Sequence, residues 1–209
     1  MVPIGKGMHV AFGLLKKLRI FRRHRRGAAG VEFALIAPIF FTLLMGIIET
    51  GVMFYANNTL QFSTYTAGRL VRTGAAQGTN YATASRCAGS GGSGAYANSQ
   101  EWFKDQICCG VSNLLTDCTQ LHVNVQSYTG GFGTNFSNTT DANGNLQPVA
   151  DNYSPGNPCD VVLVRATYNW TVITPGLSWF LVNMANHQHL LSGTSTFRNE
   201  PYTAASGGC

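Results

Sequence analysis

Phe33 to Ile48 (FALIAPIFFTLLMGII) is sixteen residues without a charge, and it closely follows Arg22-Arg23-His24-Arg25-Arg26. With Val31 before it and Gly51–Tyr55 after it, the apolar reach is 25 residues, interrupted only by Glu32 and Glu49. A bilayer core takes about 20 apolar residues of helix. The length predicts one membrane span over about residues 31–55, with a glutamate near each end. The Lys/Arg excess lies on the N-terminal side alone, which by the positive-inside rule puts the N-terminus in the cytoplasm and the rest of the chain across the membrane. Two readings compete. A buried core helix has similar hydropathy but no need of five Arg/His in a row before it. A secretory signal peptide also starts basic, but its apolar part is shorter and ends in a small-x-small site. Here the run passes into Ala56-Asn57-Asn58-Thr59.

Charge is distributed unevenly. The chain has 209 residues, 44% apolar and 11% charged, with a net charge of +5. Residues 1–27 hold eight Lys/Arg and no acid, whereas the remainder holds six against nine Asp/Glu. The basicity therefore belongs to the leader, and nucleic-acid binding is not expected of the rest. Few charges and many apolar residues also argue against a disordered tail protein. All six cysteines (Cys87, Cys108, Cys109, Cys118, Cys159 and Cys209) lie beyond the apolar run. An oxidising compartment produces that asymmetry. Six cysteines allow fifteen pairings, among which sequence does not choose. Adjacent Cys108 and Cys109 on a helix point about 100° apart, so different partners are expected for them. A zinc site is the alternative, weakened by the lack of a C-x-x-C pair.

Beyond the span the helix continues, with Leu60, Ala67, Leu70 and Val71 recurring at spacings near three and four and Asn57, Gln61, Thr64 and Arg72 off that stripe. Gly74 is the expected stop. A Gly/Ser run over 87–94 reads as a loop. Asn98–Leu115 reads as a helix with Trp102, Phe103, Ile107 and Val111 on one side, weakened by Gly110. Leu121–Ser127 alternates like a half-buried strand, and Val161–Ile173 is rich in β-branched and aromatic residues. Residues 129–158 read as a long hairpin loop or disordered excursion. Leu177–Met184 reads as a short helix and Leu190–Phe197 as a last strand. The expected class is α+β: one long N-terminal helix and an exported head over 76–209, with three or four antiparallel strands stapled by disulfides.

Catalytic patterns are missing. There is no Gly-x-Ser-x-Gly elbow, H-E-x-x-H, P-loop or G-x-G-x-x-G. His187-Gln188-His189 would place two imidazoles on one strand face, but two ligands without a nearby carboxylate do not make a metal site. No enzyme activity, cofactor or metal is expected.

Glu32 is the anomaly of the apolar run, because a carboxylate at depth is unfavourable unless it finds a partner. A cut after Gly27 would create an α-amino group on Ala28, four residues before Glu32. That is one helical turn in the same chain, or within reach in a packed neighbour. The alternative is a Glu32 hydrated at headgroup level. Pro38 predicts a kink that neighbouring groups make tolerable in a span.

Arg25-Arg26-Gly27-Ala28-Ala29-Gly30-Val31-Glu32-Phe33-Ala34-Leu35, followed by Ala37-Pro38, resembles the N-terminus of TadE-like proteins of the tight-adherence (Flp) pilus system, which are type IV pilin-related pseudopilins of bacteria. Gly27, Glu32 and Phe33 stand where the family has its cut, its glutamate and its following aromatic. Gly46-Ile47-Ile48-Glu49-Thr50-Gly51 is similar to the family's span end, with Thr50 in place of a common aromatic. Ser195–Tyr202 (STFRNEPY) resembles the family's Arg-Asn-Glu-Pro ending. Gly30 offers a second cut, but it would leave Glu32 at the wrong spacing.

The resemblance implies a type IV pilin-like fold with three parts: a basic cytoplasmic leader (1–27), a long helix (28–75) and the exported head (76–209). It implies a structural minor pilin or pseudopilin cut between Gly27 and Ala28 by a prepilin peptidase. Glu32 and Phe33 would then serve assembly of a Tad pilus for adherence or secretion. The implied partners are the membrane, other pilin-like subunits and Tad inner-membrane assembly proteins. The implied location is the bacterial inner membrane, single-pass, with the head periplasmic or extracellular. An uncleaved single-span anchor displaying a ligand-binding head is the competing function, and an anchored periplasmic hydrolase a more remote one.

Overall fold

The computed structural model describes residues 28–86, 95–112, 115, 118–130, 138–147, 151–174, 176 and 178–202. The chain divides into two units, Met1–Ile47 and Ile48–Cys209. Helix α1 (Ala28–Arg72) runs through the division. Its Thr42, Thr59, Thr64 and Thr66 hydroxyls each donate to the carbonyl four residues back, so none is left unsatisfied on an apolar surface. Pro38 lies inside the helix.

In the first unit, Phe33, Leu35, Ile36, Ile39, Phe41 and Leu43 are all exposed. Consecutive residues point in directions about 100° apart, so an apolar surface surrounds this half of α1.

The second unit contains the rest of α1, a short α2 (Ala75–Gly78), α3 (Ser99–Val111), β1 (Leu121–Tyr128), β2 (Asn152–Tyr153), β3 (Val161–Thr171), α4 (Ser178–Leu181) and β4 (Gln188–Arg198). The sheet order is β2-β1-β3-β4. Inward positions Leu121, Val123 and Val125 of β1, Val162, Val164 and Ala166 of β3 and Leu191 of β4 form one face. Met53, Ala56, Leu60, Ala67 and Val71 of α1 pack into the same core as Phe103, Ile107 and Val111 of α3. The unit is thus a helical layer on one sheet face, an α+β arrangement.

The sheet is mixed, which corrects the expectation of an antiparallel head. β1–β3 and β3–β4 are antiparallel, but β2 lies parallel to β1, with Asn124 opposite Asn152 and Val125 opposite Tyr153. A parallel neighbour needs a crossover of a dozen or more residues rather than a hairpin, and residues 129–151 supply it. Asp151 fixes the return: its carboxylate accepts from the Val123 amide at 3.1 Å and meets His122 Nδ1 at 2.8 Å. The alternation of β1 carries no information about the direction of its outer neighbour.

Close approach explains two glycines. A Cβ on Gly110 would lie 2.2 Å from Ser63 Oγ, so the residue that weakens α3 as a helix is the one that lets it rest on α1. A Cβ on Gly193 would lie 2.6 Å from Thr64 Oγ1 and 2.9 Å from the Leu60 carbonyl oxygen, which brings α1 onto the backbone of β4. Gly193→Val should therefore force α1 off the sheet, with a loss of about 1–3 kcal/mol seen as a lowered unfolding temperature.

α3 begins at Asn98, whose side chain accepts from the Glu101 amide at 2.8 Å. Glu101 reaches back to the Ala97 amide at 2.7 Å and pairs with Arg86 at 2.5 Å, while the Arg86 guanidinium lies over the Tyr96 ring. Tyr96 donates to Asp105. The Arg86 bond, then the Ala97 amide, holds the Glu101 carboxyl below its usual range of 4.5. Burial, then the Asp105 bond, pushes the Tyr96 hydroxyl up to about 12 from 10.0. The depressed Glu101 stabilises the head above its unfolded-state value, and that contribution disappears as pH falls through the folded-state value. The raised Tyr96 contributes below pH 10.0, and its contribution is lost as pH climbs towards about 12. Unfolding temperature against pH should decline at both ends, and Glu101→Gln should flatten only the acid side.

Candidate functional site

Two places carry functional geometry: the N-terminal half of α1, and the seam where α1 meets the head. Of the expected site residues, Gly27, Cys87 and Cys209 lie outside the described residues. Ala28 opens α1. Glu32 is exposed one turn further on, and the Phe33 side chain is 66% exposed. α1 is long and apolar enough to cross a membrane, and only 6% of its most apolar stretch is buried. That burial is the opposite of a core helix.

Cys108 and Cys118 form a disulfide. Cys109 and Cys159 are disulfide-bonded as well. Since Cys118 is taken by Cys108, the adjacent Cys109 bonds a different cysteine. These bonds lie around α3 and at the turn before β3.

At the seam, polar side chains of α1 pair with backbone of the head. Gln61 behaves like a short piece of strand: its Nε2 donates to the Thr194 carbonyl at 2.8 Å and its Oε1 accepts from the Thr194 amide at 2.8 Å. Asn57 Oδ1 accepts from the Ser192 amide at 3.1 Å. Glu49 accepts from the Ile173 amide at 2.6 Å and the Thr174 amide at 2.8 Å. β4 is a sheet edge, so its outward amides at 192 and 194 would otherwise be open to pairing with another chain. Asn57, Gln61 and Thr64 were expected off the packed stripe. Instead Asn57 and Gln61 bond β4, and Thr64 is fully buried. The stripe was read from apolarity alone, whereas a helix lying along an edge strand needs hydrogen-bonding groups there.

The C-terminal residues close the far end of α1. The Glu200 amide donates to the Arg72 carbonyl at 2.9 Å, and their side chains pair at 3.1 Å. Buried Asn199 donates to the Pro155 and Asn157 carbonyls at 2.9 and 3.0 Å. Arg198 Nε donates to the Cys159 carbonyl at 2.9 Å. Tyr202 packs over Gly74, which has φ 79° and no room for a Cβ. Gly74 thus ends the helix as expected and also makes room for that ring.

The chemistry-bearing groups elsewhere stay apart. His187 sits at φ 57° in the turn before β4, whereas His189 is on β4 and bonds the Leu181 carbonyl, so they do not share a strand face. The His122–Asp151 pair is occupied in holding β2 beside β1. Asp141 spends its carboxylate on the Asn143 and Asn145 amides, both at 2.8 Å, as a turn former. Among the described residues, no three His, Cys, Asp or Glu side chains gather as they would around a metal ion.

The apolar half of α1 and the α1 side of the seam both fall in one stretch that a family model matches. Residues 27–69 match the TadE-like protein family. No curated protein and no solved structure matches the chain. The TadE-like segment covers nearly all of α1 and contains Glu32, Glu49, Asn57 and Gln61, while the backbone partners of the last three lie outside it. Sequence reading missed Asn57 and Gln61 as seam residues. The available signal is the spacing of Asn57, Gln61 and Thr64, three amide or hydroxyl side chains three and four residues apart on one side of the helix.

Gln61→Ala should cost about 1 kcal/mol locally. Hydrogen exchange should then show the Thr194 amide exchanging several-fold faster, with the β1–β3 amides unchanged.

Proposed function

We propose that this protein is a TadE-like minor pilin or pseudopilin with a structural role in assembling a Tad/Flp pilus. The observation that carries the reading is α1 itself: a family-matched helix that exposes apolar side chains all round its first half and holds a head on its second. A helix apolar on all sides needs lipid or other helices against it. In this reading residues 1–27 are a leader, removed after Gly27 by a prepilin peptidase, and residues 28–75 form the membrane and packing helix. Residues 76–209 are the exported head, stapled by disulfides in an oxidising compartment. The N-terminus faces the cytoplasm before the cut.

Processing would place the new Ala28 amine one turn from Glu32. Glu32 then meets such an amine on a neighbouring subunit, where pairing removes the penalty of a bare carboxylate among apolar helices. The exposed Phe33, Phe54, Phe62 and Tyr65 offer aromatic surface for packing against helices of other pilin-like subunits or Tad assembly proteins. Nothing in this mechanism is turned over.

N-terminal sequencing and intact mass of the protein from native membranes should give a start at Ala28. Gly27→Ala should leave the leader attached, while Glu32→Ala should be cut normally yet fail to assemble. Normal piliation in both variants would sink the proposal, and an unprocessed wild-type start would replace it with a fixed membrane anchor.

A further inference from the structure

We propose that the segment between β3 and β4 is a second membrane contact: Ile173, Trp179 and Phe180 insert into the headgroup–acyl boundary of the bilayer beside α1. The inference rests on the reading of α1 as a membrane span and goes beyond it.

Exposure comes first. Ile173, Trp179 and Phe180 are 81%, 75% and 71% exposed, although each belongs to a type of side chain that folding normally hides. The segment holds them outward by firm attachments. Leu181, the next residue, turns inward onto the core, and its carbonyl is bonded by His189. Asn183 Oδ1 accepts from the Leu190 amide at 2.8 Å, and Met184 is buried. The Trp179 and Phe180 rings lie against each other with centroids 3.7 Å apart, making one aromatic wedge.

Position comes second. The Glu49 carboxylate, through the Ile173 and Thr174 amides, ties this segment to the turn of α1 that also exposes Ile48, Val52 and Phe54. That turn lies near the end of the apolar run, just before Asn57-Asn58-Thr59. A bilayer that covers the run reaches its polar boundary here, the level at which Trp side chains concentrate in membrane proteins. Lipid is therefore the surface that meets the wedge.

Charge comes third. The segment between β3 and β4, residues 172–187, holds no Asp, Glu, Lys or Arg in its sixteen residues. A segment that touches only water gains nothing from that lack of charge, whereas one entering the interface avoids the penalty of carrying charge into it. The arrangement also accounts for Glu49, an acid at the edge of a span whose lone pairs are taken by backbone amides. With two points of attachment, helix and wedge, the head is fixed in tilt and rotation above the membrane.

The test uses the full chain in nanodiscs of phosphatidylcholine brominated at shallow acyl positions, which quenches tryptophans at that depth. The wild type has three tryptophans, of which Trp102 is buried and Trp170 half-buried. About one third of the emission, the share of one residue in three, should be quenched in the wild type and not in Trp179→Phe. Trp179 is exposed, so that variant retains the fold. A Phe41→Trp reporter in the Trp179→Phe background reads the span independently with deeply brominated lipid. Equal quenching of wild type and Trp179→Phe, with the reporter quenched, overturns the wedge and leaves the span. An unquenched reporter overturns the span, and the wedge with it.

Discussion

Gln61 and Asn57 meet the edge of β4 where an apolar helix face would leave backbone amides without partners. That contact joins the helix to the sheet. A sheet edge must pair with something, and a long helix must bury one side of itself. Here each supplies what the other lacks. The amide of Gln61 takes both the N–H and the C=O of Thr194, as a neighbouring strand would, while Gly193 lets the helix backbone come close enough for those short side chains to reach. Thr64 keeps its hydroxyl on the Leu60 carbonyl and so adds no unsatisfied group to the seam. The edge amides at 192 and 194 are satisfied without a further strand.

The composition of the same helix differs in its first half. Residues 33–48 carry no charge and expose apolar atoms in every direction, whereas residues 57–72 alternate apolar anchors with Asn, Gln, Thr and Arg. The transition is marked by Glu49, whose carboxylate is satisfied by the amides of residues 173 and 174. The C-terminal Arg198–Tyr202 stretch is anchored equally thoroughly. Asn199 binds the turn before β3, Glu200 binds the last turn of α1, and Tyr202 covers Gly74. A short tail thereby joins the end of α1 to the turn before β3.

Long, strongly patterned elements were legible in the sequence: the apolar run, the stop at Gly74, the strands at 121–128 and 161–171, and the helix after Asn98. In each, local pattern and tertiary environment agree. What escaped depended on contacts distant in sequence. The parallel placement of β2 follows from a crossover and from Asp151 capping β1, and no alternation within β1 announces it. The seam residues fall off the apolar stripe, because a stripe traced by apolarity passes over amides and hydroxyls. Gly110 was read for its low helix propensity, when its value lies in the Ser63 contact. The histidine pair was read as one strand face, but the turn at Asn186-His187 begins the strand one residue too late for that. The TadE-like resemblance rests on residues at the start of α1, on Gly46–Gly51 and on Ser195–Tyr202; the family match, over residues 27–69, covers the first two and not the tail.

The bonds from Gln61 to Thr194 span 133 residues, and the one from Asn57 to Ser192 spans 135. The helix is synthesised well before its partner strand. Until β4 emerges, the seam face of α1 has no mate and the sheet has no edge to close. The second unit therefore closes only once β4 is in place, and a nascent chain that stops short of about residue 190 lacks the strand that completes the seam.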